Sequence, residues 1–291
     1  MSELDILEIL KLVVYGIVEG ITEWLPVSST GHLLILEEYL PLKQLSPEFL
    51  SLFRIVIQLA AILAVILYFW QKLWPLKAYP NPRRPRNSYK PLRKNLFLDL
   101  DVLHTWLWVV VASLPAAIVG LLADEFFEKY FYNTISVALA LIIVGIIFIV
   151  VERKMQGRRA KYKYVVELTW TAALVVGICQ MLAGIFPGVS RSGACIIGAL
   201  IMGFTRPLAS EVSFFMAIPV MLGASLLKLI RLTVAPQATE WLALIISSLV
   251  AFVVSLMTIK YFMNFVKKHK FQVFAYYRIA LGIVLLALFF I

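Results

Sequence analysis

The chain of 291 residues is 62% hydrophobic and only 15% charged, and its mean hydropathy is +0.89. So little charge beside so many long apolar runs excludes an ordinary soluble domain. The runs are about 20 residues long, as membrane-spanning helices require, whereas barrel strands alternate over roughly ten residues. The net charge of +10 is confined to short stretches between these runs. That distribution predicts contact with the lipid bilayer and no nucleic-acid partner.

The first apolar stretch, residues 6–40, is interrupted near its middle by Pro26 and a cluster of hydroxyl side chains. Neither half makes a comfortable span, so a re-entrant helical hairpin that enters and leaves on the same side fits better. Residues 165–204 repeat the pattern around Phe186-Pro187-Gly188 and predict a second hairpin of this kind. Full spans are predicted at residues 49–70, 102–122, 134–151, 211–232, 240–260 and 273–291.

Basic residues concentrate in three of the connections between spans. Residues 71–98 hold eight Lys or Arg and five Pro with no acid, and 152–164 hold six basic residues. Residues 264–272 add three lysines. The positive-inside rule makes all three connections cytoplasmic and both termini extracytoplasmic. The proline–arginine run within 71–98 is expected to be extended and flexible.

The other connections are predicted to lie on the outer side of the membrane. Residues 41–48 are expected to be a polar loop, and residues 123–133 an acidic turn. Residues 233–239 are expected to form a short external loop.

Two distant segments match each other: GIVEGITEWLPVSSTGHL at 16–33 and GICQMLAGIFPGVSRSG at 177–193. With one inserted residue, VSSTG at 27–31 aligns with VSRSG at 189–193. The other aligned pairs are Gly16 with Gly177, Glu19 with Gln180, and Pro26 with Pro187.

Each half then holds one hairpin and three spans, and an odd number of crossings turns the second half upside down. The fold class predicted is an all-α polytopic membrane protein built as an inverted-topology repeat. Its halves are residues 1–151 and 165–291, joined by a basic linker at 152–164.

The two breaks carry dense polar residues inside apolar segments, where such residues are costly and mark function. The first break offers Glu19, Glu23, Ser28, Ser29 and His32. The second break offers Gly188, Ser190, Arg191, Ser192 and Gly193. Helix N-termini and guanidinium groups both favour phosphate oxygens, so the second break and Ser28 predict a phosphate site. The paired carboxylates, one helical turn apart, predict a bound divalent cation, Mg²⁺ or Ca²⁺.

Ser29 and His32 lie three residues apart, so one helical turn could bring them together for nucleophilic phosphoryl transfer. Each element also has a structural interpretation. The carboxylates could line a water-filled vestibule, and the hydroxyl run could be a helix cap and turn. The histidine could be interfacial, and Arg191 could extend to the membrane surface.

Four further residues are interpreted as structural. Arg54 and Gln58 lie at i and i+4 in one span and are expected to make polar contacts between helices. Cys179 and Cys195 have no metal-ligand spacing and are expected to be small core residues, with no disulfide.

At these residues the chain resembles a known family. EGITEWLPVSSTGHL and PGVSRSG are similar to the two signatures of bacterial undecaprenyl-diphosphate phosphatases of the bacitracin-resistance type. The likeness extends to VIQLAAILAV at 56–65, ASLPAAIVGLL at 112–122 and SFFMAIPVMLGAS at 213–225, and so covers essentially the whole chain. Cys195 departs from the family pattern, which has threonine there.

The resemblance implies an enzyme of the bacterial inner membrane. It would remove the terminal phosphate of undecaprenyl diphosphate with the help of a divalent cation, recycling the lipid carrier for peptidoglycan synthesis and conferring bacitracin resistance. The family's acidic pair falls on Glu19 and Glu23, its serines on Ser28 and Ser29, its histidine on His32 and its phosphate-binding arginine on Arg191.

Three questions stay open from the sequence. In the preferred mechanism Ser29 attacks the terminal phosphorus and His32 or Glu23 accepts its proton, with His32 as the alternative nucleophile. The rival function is a transporter or flippase of the prenyl phosphate carrier, because broken hairpins in an inverted repeat are typical of transporters. The oligomeric state is open, with a homodimer among the expectations.

Overall fold

The computed structural model describes residues 5–81, 85–93, 95–230 and 237–290, which form eleven α-helices and a small antiparallel sheet. The helices of the first half are α1 (Ile6–Thr22), α2 (Ser29–Tyr39), α3 (Pro47–Tyr68), α4 (Trp70–Leu73), α5 (Leu100–Phe131) and α6 (Thr134–Met155). Those of the second half are α7 (Trp170–Ile185), α8 (Arg191–Ile201), α9 (Arg206–Ile230), α10 (Ala238–Phe265) and α11 (Gln272–Phe289). The strands are β1 (Leu76–Lys77), β2 (Tyr89–Arg93) and β3 (Leu96–Asp99).

Six helices in the described ranges are long and apolar enough to cross a membrane: α3, α5, α6, α9, α10 and α11. Each overlaps one of the predicted spans over most of its length. Large apolar side chains point outward along them, and Leu122 and Ile245 are 82% and 62% exposed. Apolar side chains on the outer surface suit lipid, while the helices satisfy their own backbone groups. The prediction of an all-α, multi-pass membrane protein is confirmed.

The basic connection 71–98 is more ordered in its backbone than the composition indicated. Strand β3 lies between β1 and β2, and both pairings are antiparallel. The predicted proline–arginine run at 80–94 is extended where Tyr89–Arg93 form β2, and Arg86–Ser88 form a 3-10 turn before it. Its flexibility stays a prediction. A β-bulge between Pro91 and Arg93 accommodates the proline, which cannot donate to a ladder. Residues 82–84 and 94 lie outside the described residues.

The acidic turn predicted at 123–133 is also wrong. Helix α5 continues without a break to Phe131, which leaves only residues 132 and 133 between α5 and α6. Asn133 then caps α6, because its side chain accepts from the Ser136 backbone at 2.9 Å. Most of the predicted external loop at 233–239 lies outside the described residues.

Helices α1 and α7 are short, and each ends at a break before a second short helix begins. Helix α1 packs against α10, and α7 packs against α5. Small residues allow the close approach of α1: a side chain on Gly16 or Gly20 would lie within 3 Å of the α10 carbonyls Ser247 and Ala251, respectively. The two breaks are thereby carried into the interior of the bundle by the packing of α1 and α7.

Candidate active site

Two side chains, one from each break, converge on the carboxylate of Glu23. Glu23 follows α1, Ser29 is the first residue of α2, and Arg191 is the first residue of α8. Ser29 Oγ donates to Glu23 Oε2 at 2.7 Å, and Arg191 Nη2 donates to Glu23 Oε1 at 2.9 Å. Ser29 and Glu23 are buried. The carboxylate therefore lies between a hydroxyl and a guanidinium, a geometry in which it can accept the hydroxyl proton.

The two breaks have the same local geometry. Ser28 precedes α2 with φ = 73°, and Ser190 precedes α8 with φ = 70°. Each serine hydroxyl accepts from the backbone three residues on, Gly31 N at 3.4 Å and Gly193 N at 3.2 Å. Both serines thus cap their helices. The capping interpretation of the hydroxyl run applies to Ser28 and leaves the neighbouring Ser29 hydroxyl directed at Glu23.

Arg191 is held by contacts on three sides. Its Nη1 donates to the backbone oxygen of Ser213 at 2.9 Å, and its guanidinium lies 5.7 Å from the ring centroid of Trp24. Its Nε is buried and has no hydrogen-bond partner within the described chain. The Arg191 side chain is only 13% exposed, so it does not extend to the membrane surface. A buried cation with a donor to spare is suited to an anionic ligand.

The remaining residues of the second break shape its backbone. Ser192 Oγ donates to the Leu25 oxygen at 3.0 Å and lies 3.1 Å from Ser190 Oγ, which connects the second break to the first. Gly188 has φ = 92°, and a Cβ there would lie 2.6 Å from the Val137 oxygen, so only glycine fits.

The converging residues surround a cavity of about 150 Å³. This cavity, which we call the inner cavity, is lined by Glu23, Ser28, Ser29, Thr30, Gln58, Ala183, Gly188, Ser190, Arg191, Ser192 and Met221. Helices α2 and α8 both begin at the inner cavity. The positive ends of their two dipoles therefore favour an anion there.

His32 is engaged away from the Ser29–Glu23 contact. Its Nδ1 lies 2.7 Å from the Ser28 oxygen, and its Nε2 lies 2.7 Å from the Tyr277 hydroxyl. Because a carbonyl can only accept, Nδ1 carries a proton in this arrangement. His32 is not one of the described residues that line the inner cavity.

Glu19 is fully buried, and neither of its carboxylate oxygens has a hydrogen-bond partner in the described part of the chain. It lies one turn before Glu23, whose two oxygens keep accepting capacity beyond the Ser29 and Arg191 bonds. Two oxygen donors of this kind fit a hard divalent cation such as Mg²⁺ or Ca²⁺. The described residues contain no group of three or more His, Cys, Asp or Glu arranged to hold a metal.

The model of the bacitracin resistance protein BacA family matches residues 12–284. The chain belongs to this family. It is 45% identical to an undecaprenyl-diphosphatase 1 of Clostridioides difficile over 100% of both chains. It is 43% identical to an undecaprenyl-diphosphatase of Desulfitobacterium hafniense, over 98% of this chain and 97% of that one. A relative from Enterococcus faecalis with the same name is 43% identical over 97% and 98%.

In this BacA family member, one important residue lies outside both sequence motifs. Arg278, in the middle of α11, is fully buried. Its Nη1 donates to the Pro26 oxygen at 3.1 Å, and its Nη2 donates to the oxygens of Gly188 and Val189 at 2.9 and 2.8 Å. A single guanidinium therefore holds the backbones of both breaks together. The sequence signal was an arginine inside an apolar span, which is rarely tolerated without a function.

Cys195 and Gln180 contact each other in the interior. The thiol donates to the Gln180 side-chain oxygen at 3.4 Å, and both side chains are buried. Both cysteines are free, as the sequence predicted.

Proposed function

We propose that the chain is an integral membrane phosphatase that hydrolyses undecaprenyl diphosphate to undecaprenyl phosphate and inorganic phosphate. The observation that carries the proposal is the pair of hydrogen bonds on Glu23, from the Ser29 hydroxyl and from the Arg191 guanidinium, in a cavity between two helix N-termini. The names of the relatives support the same substrate. The activity would recycle the lipid carrier for peptidoglycan synthesis, and so contribute to bacitracin resistance.

In the first step Ser29 Oγ attacks the terminal phosphorus while Glu23 accepts its proton. An O–P bond forms to serine, and the bond between the terminal phosphorus and the bridging oxygen breaks. The prenyl monophosphate leaves. Glu23 then passes its proton to the departing prenyl monophosphate. The 2.7 Å bond from Ser29 to Glu23 supports this carboxylate as the base. It also favours serine over His32 as nucleophile, because both ring nitrogens of the histidine are engaged elsewhere.

In the second step Glu23 accepts a proton from the water that attacks the phosphoserine. The bond between phosphorus and Ser29 Oγ breaks, the proton passes from Glu23 to Oγ, and inorganic phosphate is released. Arg191 and the backbone amides at the start of α8 hold the phosphate oxygens throughout. Phosphoryl transfer has a loose transition state, so holding and neutralising the charge supply most of the rate. The proposed phosphate ligands are Arg191, Ser28, Ser190, Ser192 and the backbone at Gly188 and Gly193.

Glu19 and Glu23 would hold the divalent cation, Mg²⁺ or Ca²⁺. When bound, it would neutralise negative charge on the phosphates.

The rival function, a transporter or flippase of the carrier, is less well supported. A carrier needs the arginine and the helix N-termini to bind the phosphates. It has no use for a serine hydroxyl hydrogen-bonded to a carboxylate, which is the arrangement of a nucleophile and its base.

We also propose that the fold is an inverted repeat of residues 1–151 and 165–291, joined by the linker 152–164. The packing supports it, because two major helix contacts of one half have counterparts in the other: α1 with α10 corresponds to α7 with α5, and α3 with α10 corresponds to α9 with α5. The matching caps at Ser28 and Ser190 support it locally. In this arrangement both short helix pairs are re-entrant hairpins.

The same topology suggests the orientation in the bacterial inner membrane. The three basic connections would lie in the cytoplasm, with both termini and the inner cavity on the extracytoplasmic side. The diphosphate would enter from that side while the prenyl tail stays in lipid between helices.

The deciding experiment is phosphate release from a long-chain prenyl diphosphate by the purified protein, with and without EDTA. We expect metal-dependent release that Ser29→Ala abolishes. Arg191→Ala should lower turnover by about 10³-fold or more, as arginines do at other phosphoryl-transfer sites. Ser136→Ala, at the start of α6, is the matched control for the serine substitution and should leave turnover unchanged.

No release by folded wild-type protein with any divalent cation would refute the enzyme. A loss of less than tenfold in Arg191→Ala would refute the role of that arginine. Release that survives in Ser29→Ala would transfer the nucleophile role to another group.

A further inference from the structure

A second cavity of about 140 Å³ adjoins the inner cavity. Thr30 and Gln58 line both of them and form the wall between. The other polar residues of the second cavity are Ser51, Arg54 and Tyr132. We call it the outer cavity, because Tyr132 belongs to the short connection between α5 and α6 and Arg54 lies only about 10 Å along α3 from its start.

The lining of the outer cavity is rich in hydrogen-bond donors and contains no carboxylate in the described part of the chain. Arg54 brings a guanidinium, Gln58 an amide, and the remaining polar residues bring hydroxyls. A wall with one permanent cation and several neutral donors selects for an anion. Several waters would fit in the volume, and so would a phosphate group.

The charge of Arg54 is balanced from outside the cavity. Its Nε donates to Glu37 Oε1 at 2.5 Å and its Nη2 donates to Glu37 Oε2 at 2.9 Å. Glu37 is not among the residues that line the outer cavity. The pair is partly exposed, with side-chain exposures of 30% and 25%, so the carboxylate can give way to a competing anion.

We propose that the outer cavity is a second phosphate-binding subsite in which Arg54 is the binding residue and Glu37 is its internal competitor. The inference rests on the proposed function for the identity of the anion. The occupant is a phosphate group. It is either the second phosphate of the lipid diphosphate or the inorganic phosphate released at Ser29, which would pass the wall formed by Thr30 and Gln58.

The two members of the ion pair give opposite expectations. Arg54→Gln removes the cation and should weaken phosphate binding about tenfold, the value of one charge-assisted hydrogen bond. Glu37→Gln removes the competitor and should strengthen binding. A pair that is only structural would instead respond in the same direction to both substitutions, because each breaks the same bridge. Arg206→Gln is the matched control: Arg206 makes a bidentate bond to Glu152, is 32% exposed and lines neither cavity.

The first measurement is binding of inorganic phosphate to the detergent-solubilised protein by equilibrium dialysis at low ionic strength. It is made in an Arg191→Gln background, so that the inner cavity contributes little. This measurement needs no turnover, so it tests the subsite even if the wild-type protein proves to be no phosphatase. Phosphate binding that Arg54→Gln weakens, Glu37→Gln strengthens and Arg206→Gln leaves unchanged would support the subsite.

Steady-state kinetics with otherwise wild-type protein then identify the source of the phosphate. If the subsite holds the lipid's second phosphate, Arg54→Gln raises KM for the prenyl diphosphate and Glu37→Gln lowers it. If it holds released phosphate, KM is unchanged and the inhibition constant of inorganic phosphate moves in those directions instead. The proposal is overturned if the Arg191→Gln protein binds no phosphate, or if both substitutions change binding less than twofold or in the same direction.

Discussion

Replacing Arg278 with methionine tests whether one buried guanidinium sets the distance between the two breaks. The arginine is fully buried and donates to three backbone oxygens, those of Pro26, Gly188 and Val189. Methionine fills a similar volume without donating. The three carbonyls would lose their charged donor, and the breaks would no longer be tied to each other through α11.

The expected cost follows from those bonds. A buried acceptor left without its donor costs about 1–3 kcal/mol, and three are affected. Removing a charge that is itself costly to bury offsets part of this. The remainder is a large fraction of a total stability of about 5–15 kcal/mol. For catalysis, a displacement of about 1 Å between reacting groups lowers the rate on the order of 10²-fold.

Two measurements check this role for Arg278. In phosphate release from a prenyl diphosphate, kcat of Arg278→Met should fall about 10²-fold with little change in the pH profile, because the residue positions the site without exchanging protons. Arg278→Lys keeps a buried cation with three donors and should recover part of kcat. Thermal unfolding of both variants measures the loss of stability. Arg206→Met is the control for losing an arginine elsewhere.

Arg278→Met that retained kcat within threefold of wild type would refute this positioning role of Arg278. A shift in the pH profile equal to that of a Glu23 variant would refute it in another way, because it would make Arg278 part of the proton transfer.

Two further substitutions test single contacts. Gly188→Ala should lower the unfolding temperature, because φ is 92° and the added methyl group would lie 2.6 Å from the Val137 oxygen. Gly223→Ala in α9 should not lower it, because a methyl group there would have no neighbour within 4 Å. Equal unfolding temperatures for the two variants would contradict the stated cause. Tyr277→Phe removes the hydroxyl 2.7 Å from His32 Nε2 and should lower kcat by less than about tenfold, the value of one hydrogen bond outside the cavity. A 10³-fold loss of turnover would place the His32–Tyr277 pair in the chemistry.

The helices that span the membrane were predictable because their signal is local. A run of about 20 apolar residues in lipid satisfies its backbone hydrogen bonds by forming a helix, and all six such runs coincide with helices. The break at Pro26 was predictable for a similar reason, since proline and a cluster of hydroxyls both interrupt a helix. The strands of the connection 71–98 were not predictable from the sequence. They are stabilised by pairing with one another, and the prolines obscure the alternation of polar and apolar residues that marks a strand.

The site itself was only partly accessible from the sequence. The repeat brought Glu23, Ser29 and Arg191 forward as candidates, because polar residues at matching breaks stand out in an apolar chain. It did not indicate that Arg278 would join the breaks, since the contact to Pro26 spans 252 residues and depends on how α11 packs. Nor could spacing reveal that the His32 ring contacts Tyr277, which is 245 residues away.

Helices α2 and α8 begin in the same way and differ in the residue that comes first. A serine in left-handed backbone caps each helix, and the next position holds Ser29 in one and Arg191 in the other. A symmetric assembly of two identical halves would place two serines or two arginines around the carboxylate. In the proposed mechanism, two serines would leave the phosphate without its cation, and two arginines would leave it without a nucleophile. If the proposed repeat and mechanism hold, the difference between Ser29 and Arg191 at this one helix position supplies both the nucleophile and the cation.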